Sequence, residues 1–189
     1  MARQHVEAGP VRPAHRTVPA APSADPAAAG IGLLTLVERT LGTGTAVYVP
    51  GDGWIRLTLP LDDGGPDPVT VDVVADTRRA PHGIAYLLPG AGQDFVSGFF
   101  TPSELGLAHR LRREGLLVVG VTPREDAATT QGVGPDSELA AHRRDLAALV
   151  EALDGALGLP YQYVGQGAGA LLARDAAAHD GSPRLIREG

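Results

Sequence analysis

The feature that most constrains the fold is a glycine-rich segment late in the sequence, Tyr161-Gln-Tyr-Val-Gly-Gln-Gly-Ala-Gly-Ala-Leu-Leu-Ala173. Its first residues, through Val164, form a short apolar run that predicts a buried strand. Its last residues are rich in alanine and leucine and predict a helix. The glycines between them permit a sharp change of chain direction. A strand that enters a helix through so short a turn is typical of α/β proteins, and we predict that class.

The rest of the second half of the chain repeats this alternation of strand and helix. Continuous apolar runs, as in strands buried on both faces, occur at Ile84–Leu88, Leu116–Val121 and Tyr161–Val164. A helical pattern follows each run. The first has Thr101 as its N-cap, Pro102 and Glu104 in its first turn and Gly115 as its stop; the other two cover Ser137–Leu157 and Ala168–Ala178. This order predicts parallel strands joined by right-handed crossovers.

The first half of the chain has a different pattern. Residues 1–30 are rich in proline and alanine without an apolar period, and we predict a disordered leader there. Ile31–Leu41 has one apolar stripe and predicts a short helix. Three segments then predict strands that form an antiparallel edge on the parallel sheet: Ala46–Val49, Trp54–Leu61 and Val69–Ala75.

Composition narrows the classes of function. The formal net charge is −6, and the sequence has no basic face of the kind that nucleic-acid binding requires. Cysteine is absent, so the sequence offers no thiolate nucleophile and no cysteine metal site, which fits a reducing cytoplasm. No stretch approaches the roughly 20 apolar residues of a membrane span. We expect a cytoplasmic protein with no metal, no cofactor, no nucleic-acid partner and no membrane partner.

The order of these elements and the glycine turn resemble the α/β-hydrolase family. Gly165-Gln166-Gly167-Ala168-Gly169 looks like that family's nucleophile elbow, G-x-S-x-G, with Gly167 in place of the serine. The segment Ile84–Gly90 is similar to the strand that ends in the family's oxyanion loop, with Pro89 where a histidine is usual. The resemblance implies a mostly parallel α/β-hydrolase-like sheet with an antiparallel N-terminal edge, partial over 31–189 and incomplete at the C-terminus.

The same resemblance implies a function and a site. The scaffold is that of a hydrolase of esters, thioesters or amides, with an oxyanion hole at Ala91 and Ala168 and a small acyl compound as substrate or ligand. Gly167 has no side chain to attack a carbonyl, and in an elbow it has a positive φ. His179 lies on the elbow helix, with Asp175 and Asp180 nearby, and none of the three fits the triad. We expect a truncated, catalytically incomplete pseudoenzyme.

Two alternatives stay open. The first is a non-catalytic module on this fold that binds a ligand or associates with another chain through an unpaired sheet edge. The second is a Rossmann-type dinucleotide-binding domain. Its fingerprint G-x-G-x-x-A is matched in letters by Gly165, Gly167 and Ala170, and Glu188 lies near the position of the acidic residue that the pattern expects.

Overall fold

The computed structural model describes residues 26–42, 44–49, 53–61, 69–90, 93, 95–99, 106–122, 135–180 and 187–188. The predicted leader, apart from its last five residues, and the predicted N-cap Thr101 lie outside these residues. The elements in chain order are α1 (Pro26–Leu41), β1 (Thr45–Val49), β2 (Trp54–Leu61), β3 (Val69–Asp76), β4 (Gly83–Leu88), α2 (Phe95–Phe99), α3 (Leu107–Arg113), β5 (Leu116–Thr122), α4 (Pro135–Leu157), β6 (Tyr161–Gly165), α5 (Ala168–His179) and β7 (Arg187–Glu188).

The strands described form one sheet in the order β1-β2-β3-β5-β4-β6-β7. β1, β2 and β3 pair antiparallel, and β3 also pairs antiparallel with β5. β5, β4, β6 and β7 pair parallel. The predicted fold class is therefore confirmed: a mixed α/β sheet whose antiparallel part comes first in the chain and whose parallel part carries the glycine turn.

Helices cover both faces of the sheet. On one face, α1, α4 and α5 bury an apolar stripe each, centred on Val37, Leu149 and Ala173. On the other face, α2 and α3 pack Phe95 and Leu111 against the alternate residues of the same strands. All six residues of β4 are buried, because this strand is covered on both faces, as its continuous apolar run predicts.

Two helices begin where the sequence did not predict them. The helix expected from Ile31 begins at Pro26, inside the range assigned to the leader, because proline suits a first helical position and alanines follow it. The helix expected from Pro102 begins at Leu107, since Gly106 before it has an extended backbone, with φ −56° and ψ 149°. The short helix α2 was not predicted, because one turn that contains a glycine has little periodic signal.

An ion pair with a buried carboxylate joins the antiparallel strands β2 and β3. Asp72 on β3 is 2% exposed, and its Oδ1 accepts hydrogen bonds from Arg56 Nε (2.8 Å), Arg56 Nη2 (2.6 Å) and Thr58 Oγ1 (2.9 Å) on β2. The guanidinium of Arg56 also lies 5.9 Å from the centre of the Phe95 ring. A carboxylate can stay charged in the core only when it is paired and hydrogen-bonded in this way.

No helix in the described part of the chain has both the length and the apolar character that a bilayer crossing requires.

Candidate functional site

The glycine turn lies at the carboxyl end of the parallel strands, where ligand sites of open α/β sheets are found. β6 ends at Gly165, which is aligned with Leu88 at the end of β4. The Gln166 N–H donates to the Leu88 carbonyl (3.1 Å), and the Gly169 N–H donates to the Gln166 carbonyl (2.9 Å). The turn is therefore held against the end of β4 by the main chain itself.

Gly167 stands at the apex of this turn with φ 55° and ψ −121°. The positive φ that we predicted for an elbow apex is confirmed. Side chains are disfavoured in this region of backbone space, and glycine adopts it at little cost. Gly167 and the next residue, Ala168, are both exposed, so the apex faces solvent at the start of α5.

The three glycines of the turn differ in how much space their positions leave for a side chain. A Cβ at Gly165 would lie 2.4 Å from the Cα of Ala170, and a Cβ at Gly169 would lie 2.0 Å from the Leu88 carbonyl oxygen. These two positions have no space for a side chain. A Cβ at Gly167 would meet nothing closer than the Cα of Gly90, at 3.9 Å. The apex therefore has room for a side chain, which would face the loop that follows β4.

Backbone N–H groups of two segments come near this apex. Ala168 is the first residue of α5, and among the described residues its N–H has no hydrogen-bond acceptor; the first N–H groups of any helix lack one within the helix. Gly90 is buried, and its N–H donates to Gln93 Oε1 over 3.3 Å. Ala91, the other residue predicted for an oxyanion hole, lies outside the described residues. The oxyanion roles of Ala91 and Ala168 stay predictions.

Two glutamines that the sequence analysis did not single out meet at this site. Gln93 Oε1 lies 3.6 Å, and Gln166 Oε1 3.7 Å, from the point that a Cβ of Gly98 would occupy on α2. The Gln166 Oε1 is buried and has no hydrogen-bond partner in the described part of the chain. The one available signal was that both glutamines closely follow buried parallel strands, where α/β sites cluster.

Asp175, His179 and Asp180 lie at the opposite end of α5 from the turn, and the two carboxylates have structural partners there. Asp180 Oδ2 accepts hydrogen bonds from the hydroxyls of Tyr161 (2.9 Å) and Tyr163 (2.6 Å), and Asp175 pairs with Arg143 at 2.7 Å. Burial first, then the hydrogen bond to Asp180 and its negative charge, raise the pKa of Tyr163 far above its ordinary value. A groove of about 770 Å³ between α4 and α5 is lined by Tyr163, Asp175, His179 and Asp180 among others, and by no residue of the turn.

The dinucleotide alternative is supported by one observation and opposed by another. Glu188 is aligned with Gly165 on the neighbouring parallel strand β7, which is where that alternative needs an acidic residue. It also needs the N–H groups of Gln166 to Ala168 to face a pyrophosphate. The Gln166 N–H is already taken by the Leu88 carbonyl, so the turn does not present that set of donors.

No protein-family model matches this chain, and no curated protein sequence matches it. Solved structures do. A cold-adapted esterase from an Arctic intertidal metagenomic library is similar with a TM-score of 0.61 at 15% identity, over 78% of this chain and 64% of that one. An acetyl xylan esterase from Paenibacillus sp. R4 gives 0.56 at 16% identity, over 87% and 58%. A dienelactone hydrolase from Anabaena variabilis gives 0.51 at 16% identity, over 77% and 61%.

These likenesses show the fold. The chain has the α/β-hydrolase fold that its order of elements resembles, and the predicted resemblance is confirmed. The chain spans less than two thirds of the length of each of these three structures.

Proposed function

We propose that this chain carries the carbonyl-binding turn of a serine-hydrolase scaffold for esters, thioesters or amides, and that it does not hydrolyse them through a serine. The observation that carries the proposal is the apex at Gly167. Its φ of 55° and its open space toward Gly90 are what a nucleophile elbow requires, yet the residue has no nucleophile.

The chemistry that remains is the binding of a polarised carbonyl. The Ala168 N–H and an N–H from the loop after β4 would donate to its oxygen, and the positive end of the α5 dipole would add to the attraction. Such donors stabilise the negative charge of a tetrahedral intermediate, but an intermediate forms only when a nucleophile attacks. An acyl compound at this site is therefore bound and left uncleaved.

A cysteine at the apex tests the proposal, because the chain has no other cysteine. The thiol of Gly167→Cys would lie at a helix N-terminus, which lowers the thiol pKa and favours the reactive thiolate. We expect p-nitrophenyl butyrate to acylate it in a burst of one nitrophenolate per chain. The matched control is Leu171→Cys, on the exposed side of the same helix. After each rate is divided by the fraction of thiolate present in that variant, we expect Gly167→Cys to react at least about tenfold faster, since one oxyanion donor is worth a factor of this order or more.

Two further outcomes set the limits of the proposal. Equal acylation rates for the two cysteine variants would show that no oxyanion donors surround the apex and that the elbow assignment is wrong. Gly167→Ser is expected to give no efficient turnover, because no histidine is assigned to activate its hydroxyl. Robust esterase turnover by the unmodified chain would place the nucleophile elsewhere.

Association through the sheet edge is a second candidate function. Among the described residues, β7 pairs with β6 on one side and with no strand on the other. Such an edge presents main-chain donors and acceptors to another strand. Light scattering after size exclusion would detect self-association, and Glu188→Pro, which removes a main-chain donor from β7, is expected to reduce it if this edge is the contact.

A further inference from the structure

The two halves of the proposed carbonyl site differ in how accessible their donors are. Ala168 is exposed, and within the described residues nothing accepts from its N–H. Gly90 is buried, and its N–H is already bonded to the carboxamide oxygen of Gln93. A ligand oxygen that accepts from both the Ala168 N–H and the Gly90 N–H therefore has to replace Gln93 Oε1 on the Gly90 N–H.

That existing bond is weak. Its N···O distance of 3.3 Å lies beyond the usual 2.7–3.2 Å for an N–H···O bond. The Gln166 Oε1, meanwhile, is buried without a donor among the described residues. A buried acceptor left without a donor loses the hydration that it would have in water, and this loss is not repaid in the free chain.

The position of the two carboxamides offers a way to replace the weak Gly90–Gln93 bond and to give Gln166 Oε1 a donor at the same time. The point that a Cβ of Gly98 would occupy lies 3.6 Å from Gln93 Oε1, 3.7 Å from Gln166 Oε1 and 3.5 Å from the Cβ of Pro89, so both carboxamides lie beside Gly98. When a ligand oxygen takes the Gly90 N–H, the Gln93 side chain is released. A rotation about its terminal torsion, which has broad preferences, turns its NH₂ group toward Gln166 Oε1.

We infer that Gln93 is an autoinhibitory plug: it covers the Gly90 donor in the free chain and transfers to Gln166 when a carbonyl or carboxylate oxygen binds. This rests on the proposed function, which supplies the ligand. The plug makes binding depend on Gln166, a side chain that does not have to touch the ligand. Gln93 and Gln166 are positioning residues in this scheme, since they act through the Gly90 N–H.

The test is a double-mutant cycle read by binding of butyrate, whose carboxylate presents an oxygen of the required charge. Backbone amide shifts in NMR titrations would give the dissociation constant and identify Ala168 and Gly90 as the contacts. Gln166→Met keeps the length of the side chain but removes the acceptor. We expect it to raise the dissociation constant about fivefold, the worth of one ordinary hydrogen bond. In the Gln93→Ala background the same substitution is expected to change nothing, because the transferring group is gone. Gln162→Met on β6 is the control and is expected to be silent in both backgrounds.

The outcomes separate the inference from the proposed function. An equal effect of Gln166→Met in both backgrounds, or no effect in either, overturns the plug while butyrate binding at Ala168 still supports the site. Absence of any shift at Ala168 overturns the site and the plug together. Should Gln166→Met fail to fold, hydrogen exchange of the Gly90 amide decides: Gln93→Ala is expected to accelerate it, by up to about fivefold for the loss of one hydrogen bond, and an unchanged rate overturns the plug.

Discussion

The antiparallel side of the sheet and the glycine turn both bury polar groups, but these groups are well hydrogen-bonded in the first region and poorly hydrogen-bonded in the second. On the antiparallel side, one carboxylate oxygen of Asp72 receives hydrogen bonds from Arg56 and Thr58, and the same arginine packs over Phe95. At the turn, Gln166 Oε1 is buried without a partner in the described part of the chain, and the Gly90 N–H has only a long bond.

Under the proposed function, the difference separates groups that hold the fold from groups available to a ligand. Buried polar atoms in folded proteins are nearly always satisfied, so an unsatisfied one needs a reason. At Asp72 the partners come from adjacent strands, and the cluster is complete as a structural element. At the turn, in the scheme that we infer, a bound oxygen and the released carboxamide of Gln93 would supply the missing partners. The comparison predicts that the polar groups of the first region govern stability and that the polar side chains at the turn can be changed with little loss of stability.

The largest expected effect tests the structural side. Asp72→Ala leaves the Arg56 guanidinium, partly buried, without its carboxylate, and the loss of one partner from a buried ion pair is strongly destabilising. We expect the free energy of unfolding to fall by about 3 kcal/mol, measured by urea denaturation. Asp154→Ala, at an exposed position of α4, is the control and is expected to change stability by less than about 0.5 kcal/mol. An equal loss of stability in both variants would show that the Asp72 cluster contributes no more to stability than an exposed carboxylate does.

The next effect distinguishes the glycines within the turn. Gly169→Ala would force a methyl group onto the Leu88 carbonyl and is expected to cost about 2 kcal/mol of stability. Gly167→Ala meets no such contact and bears only the strain of a positive φ, about 1 kcal/mol. Thermal or urea unfolding of the two variants decides this order. The reverse order would mean that the apex, and not its flank, is packed against β4.

A third polar cluster, Tyr163 with Asp180, is complete like that of Asp72 and predicts a pH dependence. The pKa of the Tyr163 hydroxyl is raised above its ordinary value of about 10, chiefly by burial, so the folded chain retains a proton that the unfolded chain loses. The stabilisation is fully present below pH 10 and declines as the pH rises above it, by about 1.4 kcal/mol per pH unit. Tyr163→Phe is expected to remove this decline in urea melts between pH 8 and 11. An unchanged slope would assign the decline to other groups.

The smallest effect is expected at the turn and has the opposite sign. Gln166→Met replaces an unsatisfied buried acceptor by an apolar side chain of similar length, so the free energy of unfolding should rise, by about 1 kcal/mol. Thermal unfolding of this variant, compared with that of the control variant Gln162→Met, measures the change in stability. A loss of stability would show that the Gln166 carboxamide contributes to the fold as the Asp72 cluster does.

Much of the architecture was predictable from local pattern. The apolar runs of β4, β5 and β6 were recognised as strands buried on both faces, and their alternation with helices predicted the parallel pairing that the sheet has. The positive φ of Gly167 was predicted from the form of the motif alone. Periodicity failed where elements are short or their ends depend on neighbours, as at α2 and at the start of α3.

The sequence by itself determined the class of fold and the apex of the turn, because strand and helix periods and glycine spacing are local properties of the chain. It also showed that Gly167 offers no nucleophile. The tertiary structure alone decided that Gly90, Gln93 and Gln166 meet, since the order β5-β4-β6 brings together loops that are far apart in the chain. Which buried polar groups have partners depends on that same non-local packing, and so the distinction between Asp72 and Gln166 could not be read from residue types.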